Sequence, residues 1–384
     1  MRVAFVTTYH ASDVSAWSGS MFNMLGAFLK SGVDVETIDA LRDPYSTIFK
    51  AKRLVKNIVF GKNYLRDREP LTLKWYARQV ESRLSRMNPD VVFSAGTIPI
   101  AYLRTDKPIA FWGDATFDGM IDFYPEFTNL CDETIRNGHR MEQAALSNCR
   151  LAVYSSEWAA QTAIANYVVD SRKVKVVPYG ANLPRFPSTE EVRQAITSRG
   201  SGPCKLLFVG IDWYRKGGDK ALLVASRLNQ MGLNTELHAV GCYPPAPLPV
   251  FVKTYGYLSK SNREHNDLLS RLFKTSDFFI LPSKAECAAV VVAEANSFGL
   301  PALTTNVGGM RTVVRDGQNG RAFDPPAFVQ ECADYILQML SSKDRYHQLC
   351  QSSFEEYSNR LNWRTAVQSV VDLMVSDLLP ANRG

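Results

Sequence analysis

The chain has 384 residues, more than one hydrophobic core usually supports, so length alone predicts two domains. With 46% hydrophobic and 21% charged residues and no low-complexity tract, the composition excludes a disordered or fibrous protein. The net charge of +6 is uneven, with eleven Lys/Arg and three acids (Asp67, Glu69, Glu81) in residues 50–86, from the cation Lys50 to the cation Arg86, and the rest near neutral.

The N-terminal run MRVAFVTTYHASD reaches polar residues within a few positions, which fits a first β-strand better than a signal peptide. A cytoplasmic location is therefore expected. No stretch approaches the roughly 20 apolar residues of a membrane-spanning helix. Through the first half, short apolar runs alternate with helical patterns: RVAFVTT, a helix near residues 19–30, VDVETID, DVVFSAG, PIAFWGD, RLAVYSS and KVKVVPYG. This is a βαβ series, and the Gly and polar residues after nearly every strand put the functional loops at the carboxyl edge of a parallel sheet.

The polar segment 181–203 interrupts the alternation and reads as the domain linker. The pattern restarts with KLLFVG, a helix over about residues 218–231, TELHAVG, FVKTYGYL, a helix over 262–273, DFFILPS, a helix over 290–297, and PALTTN. That is a second nucleotide-binding-type sheet. The tail, residues 326–379, is helical by periodicity, with breaks near Lys343 and Asn362. The expected domains are residues 1–185 and 203–360, with a helical segment 361–384 packing back on the first.

Seven scattered cysteines without a C-x-x-C pair read as reduced thiols, and five isolated histidines without H-E-x-x-H or Asp-x-Asp give no support for a metal. No metal and no nucleic acid partner are expected. In the basic stretch, Phe49, Leu54, Val55, Ile58, Val59 and Phe60 interleave with Lys50, Lys52, Arg53 and Lys56. Two readings stand: a helix resting on an anionic membrane at the inner face, or a solvated face packed on its own domain.

The strongest local feature is SKAECAAVVVAEANSFGLPALTTNVGG. Glu286 ends the loop after a buried strand, and Glu294 lies about a turn and a half into the next helix, so both carboxylates can face one ligand. Carboxylates accept hydroxyl hydrogen bonds, and backbone N–H groups at a helix start attract a diphosphate, so the ligand this implies is a sugar nucleotide. In FVGIDWYRKGG, Arg215 and Lys216 precede Gly217, Gly218 and a helix, a fork-shaped and a point cation able to neutralise a departing pyrophosphate. In HASDVSAWSGSMFNML, Gly19 and Ser20 open the first helix, where glycine permits close backbone approach; an ordinary cap by Ser18 or Ser20 is the plain alternative.

In register, these features resemble the retaining glycosyltransferases of family 4, which have the GT-B fold: the Gly19 loop, a helix carrying Glu142 before LAVYSSEWAA, VVPYGAN, the Arg215-Lys216-Gly217 turn, GYLS, Glu286 with Glu294, GLPALTTNVGG and a late helix at Asn362-Trp363. The resemblance implies an α/β protein of two doubly wound Rossmann-like domains facing across a cleft, and a metal-independent hexosyltransferase of cell-surface glycan biosynthesis. It would use a nucleotide diphosphate sugar, UDP by family frequency, as co-substrate and no cofactor. The acceptor would be a glycan, lipid-linked or small-molecule hydroxyl. The resemblance also implies residue roles: Glu286 with Ala288, Ala289 and Val290 at the donor sugar, Glu294 on the ribose, Arg215 and Lys216 on the diphosphate, Gly19 and Ser20 near phosphate and sugar, and Tyr257 and Leu258 at the base.

Two departures matter. Ala288 and Ala289 follow Cys287 where the family usually has an aromatic residue and a glycine, and Asp114 in FWGDATFDG occupies the place of a histidine found in many relatives, with a turn cap as the plain alternative. His139 reads as structural or acceptor-side. Competing readings are a sugar-nucleotide epimerase or phosphorylase on the same fold, and a catalytically inactive sugar-binding protein.

Overall fold

The computed structural model describes residues 1–379 except 15 and 201. The chain divides into two compact units, one formed by residues 1–179 together with the chain from Trp363 onward, the other by residues 180–362.

The first unit holds a parallel sheet of β1 (Arg2–Val6), β2 (Asp34–Ile38), β3 (Val91–Ala95), β4 (Ile109–Gly113), β5 (Leu151–Tyr154) and β6 (Val174–Val176), in the order β2-β1-β3-β4-β5-β6. β3 (VVFSA) and β4 (IAFWG) are buried at every residue, as central parallel strands covered on both faces must be. Phe5, Phe28 and Phe93 meet at ring-centroid distances of 4.6–5.8 Å and pack the helix Ser20–Lys30 on the sheet. From β1 the chain runs outward to β2, then returns to β3 on the other side of β1. That reversal is the crevice where open α/β sheets bind ligands.

The helix Trp363–Leu378 also belongs to this unit and packs on Ser20–Lys30. Its Trp363 stacks on Tyr179 at 5.4 Å, Tyr179 meets Trp112 edge-on at 5.2 Å, and the buried Trp112 Nε1 donates to the Val177 carbonyl at 3.0 Å.

The second unit holds β7 (Cys204–Val209), β8 (Thr235–Val240), β9 (Val252–Thr254), β10 (Phe278–Leu281), β11 (Ala302–Thr305) and β12 (Gly320–Phe323), all parallel, in the order β12-β11-β10-β7-β8-β9. Both sheets have the doubly wound, Rossmann-like order expected from the sequence. Here the reversal lies between β7 and β10. Residues 181–203 are not a plain connector: Thr189–Ser198 is a helix with a Ser188/Glu191 capping box, and its Val192 and Ile196 join the second core.

Candidate active site

The loops after β7 and β10 flank the reversal in the second sheet, so topology alone brings Arg215, Lys216 and Glu286 together. The approach is tight. Gly217 has φ of 76°, and a Cβ there would sit 2.0 Å from the Pro282 carbonyl oxygen; a Cβ on Gly218 would sit 2.1 Å from the Trp213 ring. Only glycine fits, which explains the Gly-Gly step before the helix Gly218–Gln230. The Lys284 N–H donates to the Arg215 carbonyl at 2.8 Å and pins one loop to the other.

Lys216 Nζ forms a short ion pair with Glu286 Oε1. The same oxygen accepts from Ser283 Oγ at 2.9 Å, and Arg215 Nη1 lies 3.8 Å away while donating to the Ala285 carbonyl at 3.3 Å. Glu286 is buried, so its charge is tolerated because cations and a hydroxyl surround it. The two cations in turn are fixed in rotamer by that carboxylate. The arrangement can hold an anion beside a hydrogen-bond acceptor suited to hydroxyl groups.

Glu294, on the helix Val290–Asn296, is equally buried but forms its own ion pair with Lys260 Nζ at 2.5 Å. Burial pushes its carboxyl above the usual range, opposed by Lys260 and by the Asn182 backbone. The helix start differs from the sequence expectation. The Val290 N–H donates to the Ala288 carbonyl and the Val292 N–H to the Ala289 carbonyl, both at 2.9 Å, so two of the N–H groups counted as free for a diphosphate are used in the turn. Ala289 is buried and Ala288 half-buried; Tyr257 is exposed, and Leu258 packs against the core.

At the carboxyl edge of the first sheet, Gly19 itself caps the helix Ser20–Lys30 in a left-handed conformation with φ of 89°, without a side-chain cap, so the plain alternative of a serine cap is not realised. Trp17 and Ser18 are left-handed too, with φ of 50° and 55°. Ser20 is buried. Asp114 directly follows β4, two strands across from β1, which is roughly 10 Å at the usual strand spacing. It is half-buried, and desolvation raises its carboxyl pKa, partly offset by the N–H groups of Asp114 and Ala115. The neighbouring turn is capped by Thr116, whose Oγ1 accepts from the Gly119 N–H at 3.0 Å.

Beneath this edge lies a buried network. Glu142 Oε2 accepts from Thr97 Oγ1 at 3.0 Å and Oε1 lies 3.5 Å from the Tyr154 hydroxyl; burial pushes this carboxyl up to about 7. His139 Nδ1 meets the Tyr167 hydroxyl at 3.1 Å, and its ring stands edge-on to Phe117. In the basic stretch, the helix Ser46–Phe60 points only Phe49 inward, while Leu54, Val55, Ile58, Val59 and Phe60 are all more than half exposed. Lys52 pairs with Glu69 and Glu133, and Lys56 with Glu133.

Sequence reasoning missed Lys260, Ser283 and the Asn182 backbone. The only local signal for Lys260 is its place in the loop after β9, two residues beyond Leu258. Among the described residues no group of three or more His, Cys, Asp or Glu side chains could hold a metal ion, and no helix is long and apolar enough to cross a membrane.

Two parallel six-stranded sheets, one carrying Arg215, Lys216 and Glu286 at its reversal, define a two-domain α/β protein with the GT-B fold. Residues 190–355 match the family model of glycosyl transferases group 1. It is 28% identical over 244 residues to the D-inositol 3-phosphate glycosyltransferase of Geodermatophilus obscurus, covering 60% of this chain and 53% of that protein, so it spans about half the length of such curated relatives. The sucrose-phosphate synthase of Thermosynechococcus elongatus shares the fold with a TM-score of 0.67 and 16% identity, covering 98% of both chains. Anabaena Alr3699/HepE in complex with UDP-glucose does so with a TM-score of 0.62 and 15% identity, covering 98% of this chain and all of that one.

Proposed function

We propose that this chain is a retaining, metal-independent glycosyltransferase that moves a hexosyl group from a UDP-sugar to a hydroxyl of a glycan, lipid-linked or small-molecule acceptor. The observation that carries this reading is the convergence of Arg215, Lys216 and buried Glu286 at the reversal of the second sheet. Transfer forms a bond from the anomeric carbon to the acceptor oxygen and breaks its bond to the β-phosphate oxygen, which takes the acceptor proton. Arg215 and Lys216 stabilise the charge that grows on that oxygen, and an anion already compensated by fixed cations needs no divalent metal. Glu286 holds both cations in place and accepts from donor sugar hydroxyls, and Glu294 accepts from the ribose. Asp114, at the edge of the first sheet, supports positive charge on the anomeric carbon. The exposed apolar face of the helix Ser46–Phe60 with its cations suits contact with an anionic membrane.

The relative complexed with UDP-glucose and the relatives named as glycosyltransferases support this assignment. The test is a panel of nucleotide sugars scored by thermal stabilisation and then by transfer with EDTA present. A UDP-sugar at about 100 times its Kd adds about 2.7 kcal/mol of stability. Stabilisation by no nucleotide sugar, or transfer abolished by EDTA and restored by a divalent cation, refutes the corresponding part of the reading.

A further inference from the structure

The two buried glutamates of the second unit are compensated unequally. Glu286 is met by Arg215, Lys216 and the Ser283 hydroxyl. Glu294 is as deeply buried, yet among the described residues the one charged group acting on it is Lys260, joined by the Asn182 backbone N–H. A carboxylate withdrawn from water stays charged only if cations or donors replace the lost hydration. Burial already pushes the Glu294 carboxyl up, and Lys260 supplies most of what holds it down. Without that ammonium, one backbone N–H would be left to support a buried anion.

The turn that carries Lys260 fixes it for this purpose. It lies between β9 and the helix Arg263–Thr275, where Asn262 Oδ1 caps the helix by accepting from the His265 N–H at 3.1 Å. The Asn262 N–H donates to the Ser259 carbonyl at 3.1 Å, the Ser259 N–H to His265 Nδ1 at 3.0 Å, and Asn266 Nδ2 to the Lys260 carbonyl at 2.5 Å. The backbone is held on both sides of Lys260, while its side chain, 37% exposed, reaches inward to Glu294. A strongly hydrated ammonium with water at hand gains little from an ion pair of its own. The gain falls to the buried carboxylate, whose charge state the ammonium sets.

That charge state decides what Glu294 accepts. An ionised carboxylate accepts through both oxygens, whereas a protonated one turns one oxygen into a donor. The vicinal hydroxyls of a ribose, taken out of water together, need the ionised form if neither is to lose its partner.

We propose that Lys260 is a positioning residue for the donor: as the fixed counterion of Glu294 it keeps that carboxylate charged and so sets selectivity for ribose over deoxyribose. This rests on the glycosyltransferase reading, in which Glu294 meets the ribose. The test measures binding of UDP and 2′-deoxy-UDP to the full chain from about pH 6.5 to about pH 9, in wild type, Lys260→Met and Lys260→Arg. The ratio of the two affinities cancels titration of the nucleotide and of His265. Wild type is expected to prefer UDP by about tenfold or more at every pH, the worth of a hydroxyl bound to a charged group. In Lys260→Met the ratio falls severalfold at the low end and recovers as rising pH ionises Glu294; Lys260→Arg keeps it. Melting without nucleotide gives an independent readout. The fold of Lys260→Met favours protonated Glu294, so this variant loses stability relative to wild type as pH rises, and adding Glu294→Gln removes that loss. Equal weakening of both nucleotides at every pH, or a melting difference that ignores pH, overturns the role. Failure of the wild type to bind UDP refutes the donor reading and the ribose role with it, whereas UDP binding with an unchanged ratio in Lys260→Met refutes the role of Lys260 alone.

Discussion

Glu142 is a carboxyl that the first unit buries at a measurable cost. Its pKa is pushed from 4.5 to about 7, chiefly by burial, against the pull of Thr97, Arg68, the Phe117 backbone and Tyr154. Because the folded-state value exceeds the unfolded one, the native state binds the proton more tightly. The protonated form's full stability is present below about pH 4.5 and is lost as pH rises through about 7. The interval between 4.5 and about 7, at about 1.4 kcal/mol for each pH unit, amounts to about 3 kcal/mol. Glutamine has the same shape and no charge to desolvate, and its carbonyl can still accept from Thr97. Glu142→Gln should therefore match the wild type near pH 4.5 and exceed it by about 3 kcal/mol near pH 8.5. Urea denaturation of both proteins across that range isolates the effect, since every other titrating group cancels in the difference. A stability difference that does not change with pH, within about 0.5 kcal/mol, refutes the claim that burial of this charge dominates.

Lys216→Ala should lower turnover about tenfold or more, measured by steady-state transfer after folding is verified, because it removes a cation from a charge that grows in the transition state. Asp114→Asn should cut kcat by about a hundredfold with donor affinity within a few fold, and since burial raises this carboxyl, wild-type kcat should fall as pH drops and Asp114 protonates; unchanged kcat with a lowered melting temperature makes Asp114 structural. Gly217→Ala should cost about 2 kcal/mol or more in denaturant melts, through a forbidden Cβ and a strained φ. Ile58→Glu with Phe60→Glu should abolish sedimentation with anionic vesicles, and equal weak binding of the wild type to anionic and neutral vesicles makes the helix a solvated face.

The strands were legible because parallel strands buried on both faces are short continuous apolar runs, as in FFIL of β10 and VVFSA of β3. The late helices Phe328–Leu340, Lys343–Asn359 and Trp363–Leu378 break near the residues expected. The segment 181–203 was misread for a physical reason. Its helix carries Glu190, Glu191 and Arg193 and is followed by Arg199, and polarity by itself suggests a loop. Yet Arg199 is buried, and its guanidinium donates to the carbonyls of Phe273, Phe298 and Gly299 at the ends of two other helices. A cation that satisfies orphaned carbonyls is indistinguishable in sequence from one that faces water.

The same limit separates the parts of the site. Arg215, Lys216 and Glu286 sit in loops that directly follow strands of one sheet, so reading the strands placed all three at one edge, and topology did the rest. Lys260 pairs with Glu294 across 34 residues, and Lys52 with Glu133 across 81, through packing that no local pattern encodes. That distance matters most for the basic stretch. Summing its charge treats all eleven cations alike, but Lys52 and Lys56 are spent inside the fold, on acids both near and far in sequence, while Arg53 and Arg66 have no ion-pair partner among the described residues. The charge available to a partner is therefore set by which cations the fold leaves unpaired, and not by the sum over the stretch.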